Sequence, residues 1–443
     1  LMQNKEKSSA YTLMKFSLPL IFSGILQQLY NWADAFIVGN VDGELALAAI
    51  GSTSTVINLY LMAITGFTLG LSILFAQKFG SGDTAVIPKI ITAFTILLGA
   101  AFGLLAATGI GLAPQILRLL HTTGDTISMA ENYLQIVLIG MPFLAVYNVY
   151  AAALRGIGDS HAPFLSILLS SAVNVALDIL FVMVLRLGVA GAAAATVISQ
   201  SVMTVFLIVY SFRKYSLLRF CPDKHALDKK FLIPGMRLGC PPMIQSSVGA
   251  AGSLILQNFM NGFGTQTVAA ITTAYRVDSI VLLPIINLGS GISTIVAQNY
   301  GAGKKTRTRE VLAAGIAIMT AVSLLLTMVV IMAGGRLIAI FGAGPEAVRI
   351  GGGFFRRIAS FYLVYGIATA MRGYLEGIGD VLYSSMSGIL SLVSRIILSY
   401  CLEPFYGNMV IAFAEAYSWG ILLVLYLIRI SWVRRGGLRK LRQ

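Results

Sequence analysis

Leu71-Ser72-Ile73-Leu74-Phe75-Ala76-Gln77-Lys78-Phe79-Gly80-Ser81-Gly82 is written a second time as Ile292-Ser293-Thr294-Ile295-Val296-Ala297-Gln298-Asn299-Tyr300-Gly301-Ala302-Gly303. The offset is 292 − 71 = 221 residues. It also carries Ala48-Ala49-Ile50 onto Ala269-Ala270-Ile271, and Leu154-Arg155-Gly156-Ile157-Gly158-Asp159 onto Leu375-Glu376-Gly377-Ile378-Gly379-Asp380. In a chain of 443 residues this offset is half the length, so one unit occurs twice. In a membrane protein, two repeated halves are the usual build of a secondary transporter, with the substrate between them.

Composition places the repeat in a membrane. Hydrophobic residues make up 57% of the chain and charged residues 11%, with a mean hydropathy of +0.83. A soluble domain carries about 25% charged residues. Apolar runs of spanning length recur from end to end, which leaves no room for a separate soluble domain. The alternating pattern of a membrane β-barrel is missing, so the spans are helices. The fold expected is an all-α membrane protein of about twelve transmembrane helices in two pseudo-symmetric six-helix lobes. The N-lobe is read over residues 1–214, a cytoplasmic linker over 215–230 and the C-lobe over 231–443.

The net charge of +14 reads as topology rather than as a nucleic-acid footprint. Its Lys and Arg gather in the loop from Arg213 to Lys230, in Lys304 to Arg309, and in Arg434 to Arg442. These stretches follow spans six, eight and twelve, and cytoplasmic loops are the ones enriched in Lys and Arg. Both termini are therefore expected inside. Repeats that start and end on one side share an orientation, and alternating access becomes a rocking of two lobes around a central cleft. Cys221, Cys240 and Cys401 show no metal spacing and imply no disulfide framework. Met2 to Ser9 reads as a polar lead into a retained first span, with no cleavable signal pattern.

Ionisable groups inside spans are costly and mark function or pairing. Asp34, Asp178, Asp278 and Glu415 stand out. Asp34 lies about twenty residues into the first span, in its outer half at ~1.5 Å per residue. Asn174 and Asp178 share a face of the fifth span by their i, i+4 spacing, and Thr196 lies at matching depth on the sixth. Carboxylate, amide, carboxylate and hydroxyl thus arrive at one level of one lobe. Two neighbouring carboxylates in low dielectric cannot both stay ionised unless a proton or a cation compensates them. The set Asp34, Asn174, Asp178 and Thr196 is the candidate coupling site for Na⁺ or H⁺, with hydrogen-bonding glue between helices as the alternative reading.

The second half does not copy this site. Asn174 maps to Arg395 (174 + 221), Asp178 to Ser399 and Thr196 to Tyr417. Arg395 is a tethered cation where the first lobe would bind a mobile one, with Asp278 and Glu415 as candidate partners and Arg276 competing for them. A static ion-pair network is the alternative. Pro19 shares the first span with Asp34 and is a candidate bend. Tyr30, Trp32, Met62 and Tyr147 are candidates for an adaptable apolar cleft. His121, His161 and His225 fall in loops or at span ends and form no metal pair, and no catalytic constellation is evident, so an enzyme is not expected.

With Pro19, Asp34-Ala35-Phe36-Ile37-Val38-Gly39, the paired Ala76-Gln77-Lys78-Phe79-Gly80 and Ala297-Gln298-Asn299-Tyr300-Gly301 helix ends, the two Gly-Ile-Gly-Asp turns, and Asn174 with Asp178, the chain resembles the MATE family of multidrug and toxic compound extrusion transporters. The resemblance implies export of bulky, often cationic amphiphiles against an inward Na⁺ or H⁺ gradient, with the cation held at Asp34, Asn174, Asp178 and Thr196. It implies no tightly bound cofactor, no nucleic-acid partner, a monomer in the lipid bilayer, and a place in the inner membrane of a prokaryote. A lipid or polysaccharide-precursor flippase of the same broader fold is the competing reading. Arg276 and Arg395 are the residues that favour it.

Overall fold

The computed structural model describes residues 8–120, 122–221, 227–340 and 344–435. His121, His225 and the basic residues Lys224, Arg439, Lys440 and Arg442 lie outside the described residues. No strand occurs among the described residues, and twelve membrane-crossing helical segments follow one another.

The first two spans, 9–42 and 44–80, run through one helical stretch, Ser9–Gly80, broken at Gly43 with φ 80° and ψ −170°. The third is Ile87–Leu119 and the fourth Gly124–Ile157. The fifth is His161–Asp178, prolonged by a π-helical turn, Ile179–Val184. The sixth is Gly188–Lys214 and the seventh Lys229–Asn261. The eighth is a pair, Thr265–Val281 and Leu283–Gly301, bent by 40° at a break that carries Pro284 in its first turn. The ninth is Lys305–Ile340. The tenth is again a pair, Pro345–Ala359 and Tyr362–Gly377. Val381–Tyr406 and Val410–Arg434 complete the set. Seven helical stretches pass as spans on length and apolarity, with Ser9–Gly80 and Val381–Arg434 each counted as one, and the bent pair of the eighth passes with its halves together; the seventh and tenth do not figure among them. The seventh carries Pro234, Pro241 and Pro242, and the tenth carries Arg349, Arg356, Arg357 and Arg372.

The repeat is written into the backbone. Gly43 and Gly264 (43 + 221) turn the chain with φ of 80° and 86°. Gly158 and Gly379 (158 + 221) do so with φ of 95° and 91°. Only glycine takes these left-handed values without strain, so the same turn residue recurs where the same hairpin recurs.

Two compact units emerge. One is Leu18–Met243; the other joins the chain up to Ser17 to the stretch from Ile244 onward. In the first unit the fourth span is the most enclosed, flanked by the third and the sixth. Ala151, Ala152, Ala153 and Gly156 on it are buried. Small residues permit this approach, since helices in lipid associate by packing rather than by expulsion of water. Phe67 and Phe94 meet beside it with ring centroids 5.7 Å apart. In the second unit the C-terminal half of the tenth span, Tyr362–Gly377, is largely buried, and a Cβ on its Gly373 would come 2.6 Å from the Gly289 carbonyl.

The division has a detail that sequence reasoning did not anticipate. The N-terminal end of the first span groups with the second unit, and the N-terminal end of the seventh with the first. The contacts obey the repeat: a Cβ on Gly70 would lie 2.0 Å from the carbonyl oxygen of Leu238, and one on Gly291 (70 + 221) would lie 2.1 Å from the Ser17 hydroxyl, with 17 + 221 = 238.

Candidate functional site

Asn174 and Asp178 are fully buried, and Thr196 is nearly so. Asp34, half-buried on the first span, brings its carboxyl within hydrogen-bonding reach of the Asp178 carboxyl. Among the described residues no protein donor reaches Asp34 Oδ1 or either Asp178 oxygen. Oδ1 of Asp34, both carboxylate oxygens of Asp178 and both amide atoms of Asn174 are buried without a hydrogen-bond partner. Buried polar atoms are otherwise almost always satisfied, so this concentration of orphans on two facing helices marks a place meant for something else. Two carboxylates in mutual reach need one shared proton or one bound cation to coexist. Either satisfies the orphaned oxygens.

The surroundings supply more oxygen. The Thr196 hydroxyl donates to the Ala192 carbonyl at 3.0 Å and lies within reach of the Tyr30 phenol. Tyr133, buried on the fourth span, stands close enough to feel the charges of both Asp34 and Asp178. Four spans therefore converge here. The donor set is oxygen with two carboxylates, which suits a hard cation. No cluster of three or more His, Cys, Asp or Glu suited to a metal occurs among the described residues. Asp178 ends the α-helical part of its span, and the π turn follows at once. Such turns recur at functional sites because they loosen the local hydrogen-bond ladder.

The second unit arranges its buried charges differently. Arg395 Nη2 donates to Glu415 Oε2 at 2.9 Å and to the Tyr275 hydroxyl at 2.6 Å. Tyr275 in turn donates to the same Glu415 oxygen at 2.9 Å. Tyr362 donates to Oδ1 of Asp278, and Asp278 lies in the electrostatic field of Arg395 and Glu415. A cavity of about 270 Å³ borders Arg395, Glu415 and Tyr275. Arg276 stands apart: it is exposed, and no ion pair joins it to Asp278 or Glu415 among the described residues.

The remaining candidates separate. Pro19 lies inside the first span, where Ser23 Oγ donates to its carbonyl at 2.7 Å. Trp32 and Met62 are exposed, whereas Tyr147 is buried against the hydroxyl of Ser166. Sequence reasoning missed Tyr133, Tyr275 and Tyr362. No periodic signal marks them, since apolar surroundings on every side leave a tyrosine's rotational position unspecified.

Away from the membrane-buried groups, the two Gly-Ile-Gly-Asp turns are anchored by charge. Asp159 Oδ1 accepts from the backbone N–H of His161 and Ala162 at 3.1 Å each, capping the fifth span. Its Oδ2 accepts from Tyr215 at 2.7 Å and from Lys214 at 3.2 Å. Burial pushes its carboxyl up, but the Tyr215 hydroxyl, the Ala162 N–H and Lys214 outweigh burial and hold it below the usual carboxylate range. Asp380 instead takes a forked pair from Arg429, at 2.7 and 3.1 Å.

A model of the MatE family matches the chain twice, over residues 19–180 and 241–401. The chain is 31% identical over 390 residues to the probable multidrug resistance protein YpnP of Bacillus subtilis (strain 168), across 88% of this chain and 86% of that protein. It is 25% identical over 378 residues to the multidrug export protein MepA of Staphylococcus haemolyticus (strain JCSC1435), across 85% and 83%. A solved multidrug resistance MATE-family transporter of the MOP superfamily, in an outward-facing conformation, shares the fold with a TM-score of 0.90 at 21% identity, over 98% of this chain and 97% of that one.

Proposed function

The chain belongs to the MATE family of multidrug and toxic compound extrusion transporters, and from that membership we propose that it exports amphiphilic, often cationic compounds in exchange for Na⁺ or H⁺, by alternating access of its two lobes. The reading places it as a monomer in the inner membrane of a prokaryote, with both termini cytoplasmic. The observation that carries it is the unpartnered Asp34–Asp178 pair.

An antiporter needs a site that is stable when loaded and costly when empty, so that loading can be traded for a change of state. A buried carboxylate pair with an orphaned amide beside it meets that need. Empty, it repels itself in low dielectric. Loaded with a proton or a cation, its oxygens are satisfied. Pro19, on the same helix as Asp34, would let the first span bend in response. One-for-one exchange of a monovalent cationic substrate moves no net charge, so only the chemical gradient drives it, about 1.4 kcal/mol per tenfold. A second coupling cation would add about 2.3 kcal/mol at 100 mV.

The test is efflux of a fluorescent organic cation from proteoliposomes, with a Na⁺ or a pH gradient imposed separately. One gradient should drive efflux in the parent protein and fail in Asp34→Asn. Efflux indifferent to both gradients would sink the coupling site and make a lipid-linked substrate the next assay.

A further inference from the structure

The sixth span, Gly188–Lys214, buries one face and leaves another bare. Met203, Leu207 and Ser211 are buried, and the span packs against the fourth and fifth. Ile198, Val202, Val205 and Val209 follow the i, i+4, i+7, i+11 spacing of the opposite face and line an open groove of about 870 Å³. Ile198, Val205 and Val209 are exposed, so this wall is suited to hydrocarbon. Its one aliphatic hydroxyl, Ser201, donates to the Val197 carbonyl at 2.8 Å and is satisfied within the helix.

The groove ends in charge. Tyr210, Arg213 and Lys214 close it where the span runs into the basic loop. Arg213 continues the exposed face one turn beyond Val209, and no carboxylate pairs with it among the described residues. Lys214 is fixed in place: its Nζ donates to Asp159 Oδ2 at 3.2 Å and to the Tyr210 hydroxyl, and lies 4.9 Å from the centre of the Tyr210 ring. Asp159 offsets that one charge. The turn Ser216–Leu218 then brings the chain back, and Arg219 Nε donates to the Phe212 carbonyl at 3.3 Å, which sets a second exposed guanidinium at the same helix end. From Arg213 back to Ile198 is 213 − 198 = 15 residues. That is ~22 Å of helix, against ~15 Å for the hydrocarbon of one leaflet.

We propose that this groove binds an anionic phospholipid, with an acyl chain along residues 198–209, the phosphate at Arg213, and a headgroup that carries no cation of its own. The apolar wall alone accepts any lipid tail, and the basic end makes the choice. A phosphate at Arg213 gains a forked, charge-assisted contact. The ammonium of a zwitterionic head is instead repelled by Arg213 and Arg219. Clusters of Lys and Arg at the ends of spans hold anionic headgroups in this way. Lys214, next to Arg213, reaches the Asp159 carboxylate that caps the fifth span, so the site joins the bilayer to that turn.

A tryptophan in the groove tests it. Val205→Trp puts the reporter at an exposed position, and the signal of the parent protein, with Trp32, Trp419 and Trp432, is subtracted. Lipids with dibrominated chains quench a tryptophan that the chains touch. In proteoliposomes, brominated phosphatidylglycerol titrated against plain phosphatidylcholine, and the reverse pairing, give the relative affinity of the two lipids at the reporter. Phosphatidylglycerol should be favoured about fivefold, the scale of one basic residue at an anionic surface. Adding Arg213→Gln should bring the two lipids to near parity, and Arg213→Lys should keep the preference. Arg435→Gln, at the end of the twelfth span and outside the groove, should leave it unchanged. Equal quenching by the two lipids, a preference that survives Arg213→Gln, or an equal loss in Arg435→Gln would overturn the proposal. Displacement of the lipid by soluble glycerol phosphate would also overturn it, since the site would then be one for free phosphate. No gradient or substrate enters the measurement, so its outcome is independent of the antiport reading.

Discussion

The two halves each set a pair of acids within their spans, Asp34 with Asp178 and Asp278 with Glu415, and treat them in opposite ways. In the first, Asp34 and Asp178 meet each other with no donor between them, and Asn174 beside them is equally unpartnered. In the second, Glu415 is held by Arg395 and Tyr275, and Asp278 by Tyr362. Arg395 stands where the repeat puts Asn174 (174 + 221). One half has a counter-cation built into the chain; the other leaves its acids and amide unpartnered. The two repeats thus frame their acids in two ways. The tethered charge at Arg395 is what separates the two arrangements.

The strongest way to break this contrast is to neutralise acids one at a time. Asp34→Asn and Asp178→Asn should each cut gradient-driven efflux by roughly 100-fold or more, since a lost cation site forfeits several factors of ten at ~1.4 kcal/mol each. Asp278→Asn should cost far less. Equal losses from all three would show the second lobe coupling too. Next, Arg395→Met should destabilise the purified protein by about 3–5 kcal/mol, because Glu415 is left buried and uncompensated. Adding Glu415→Leu should restore most of the melting temperature. A harmless Arg395→Met would mean the second lobe's acids need no tether.

Packing offers a smaller, sharper contrast at the exchanged helix ends. Gly70→Ala drives a methyl into the rigid carbonyl of Leu238, whereas Gly291→Ala meets side-chain atoms, the movable hydroxyl of Ser17 and the tip of Leu13. Overpacking costs about 1–3 kcal/mol, so Gly70→Ala should fall near the upper figure and Gly291→Ala below it, as read by thermal unfolding in detergent. The reverse order would contradict the contact geometry. Smallest of all is the effect of pH on the Asp159 turn. Its folded carboxyl titrates below the usual range, so its stabilising contribution is complete above the ordinary aspartate value of about 3.9. That contribution is lost as pH falls through the lowered folded value. Melting temperatures of the parent and Asp159→Asn should differ at neutral pH and converge in acid.

The twelve spans, the repeat and the four oxygen-bearing positions of the first lobe could be read from residues 1–443 alone, because an intramembrane acid has no bland neighbour to hide among. The depth argument for Asp34, Asp178 and Thr196 needs only helix rise. Rotation is different. When both the lipid side and the protein side of a helix are apolar, hydrophobic periodicity carries little information about facing. That is why Tyr133, Tyr275 and Tyr362 were invisible, and why Arg276 was grouped with acids it turns away from. The π turn after Asp178 also left no mark, as Ile179–Val184 is apolar throughout.

The exchanged helix ends reach back to how the chain is made. The N-terminal end of the first span is made before its packing partners around Gly291 and Gly315, which are more than half of these 443 residues away. The first lobe, for its part, waits for residues 229–243 to cover Phe67, Gly70 and Phe94. Each compact unit thus takes one helix end from the other half of the sequence, and neither half of the sequence contains all of one unit.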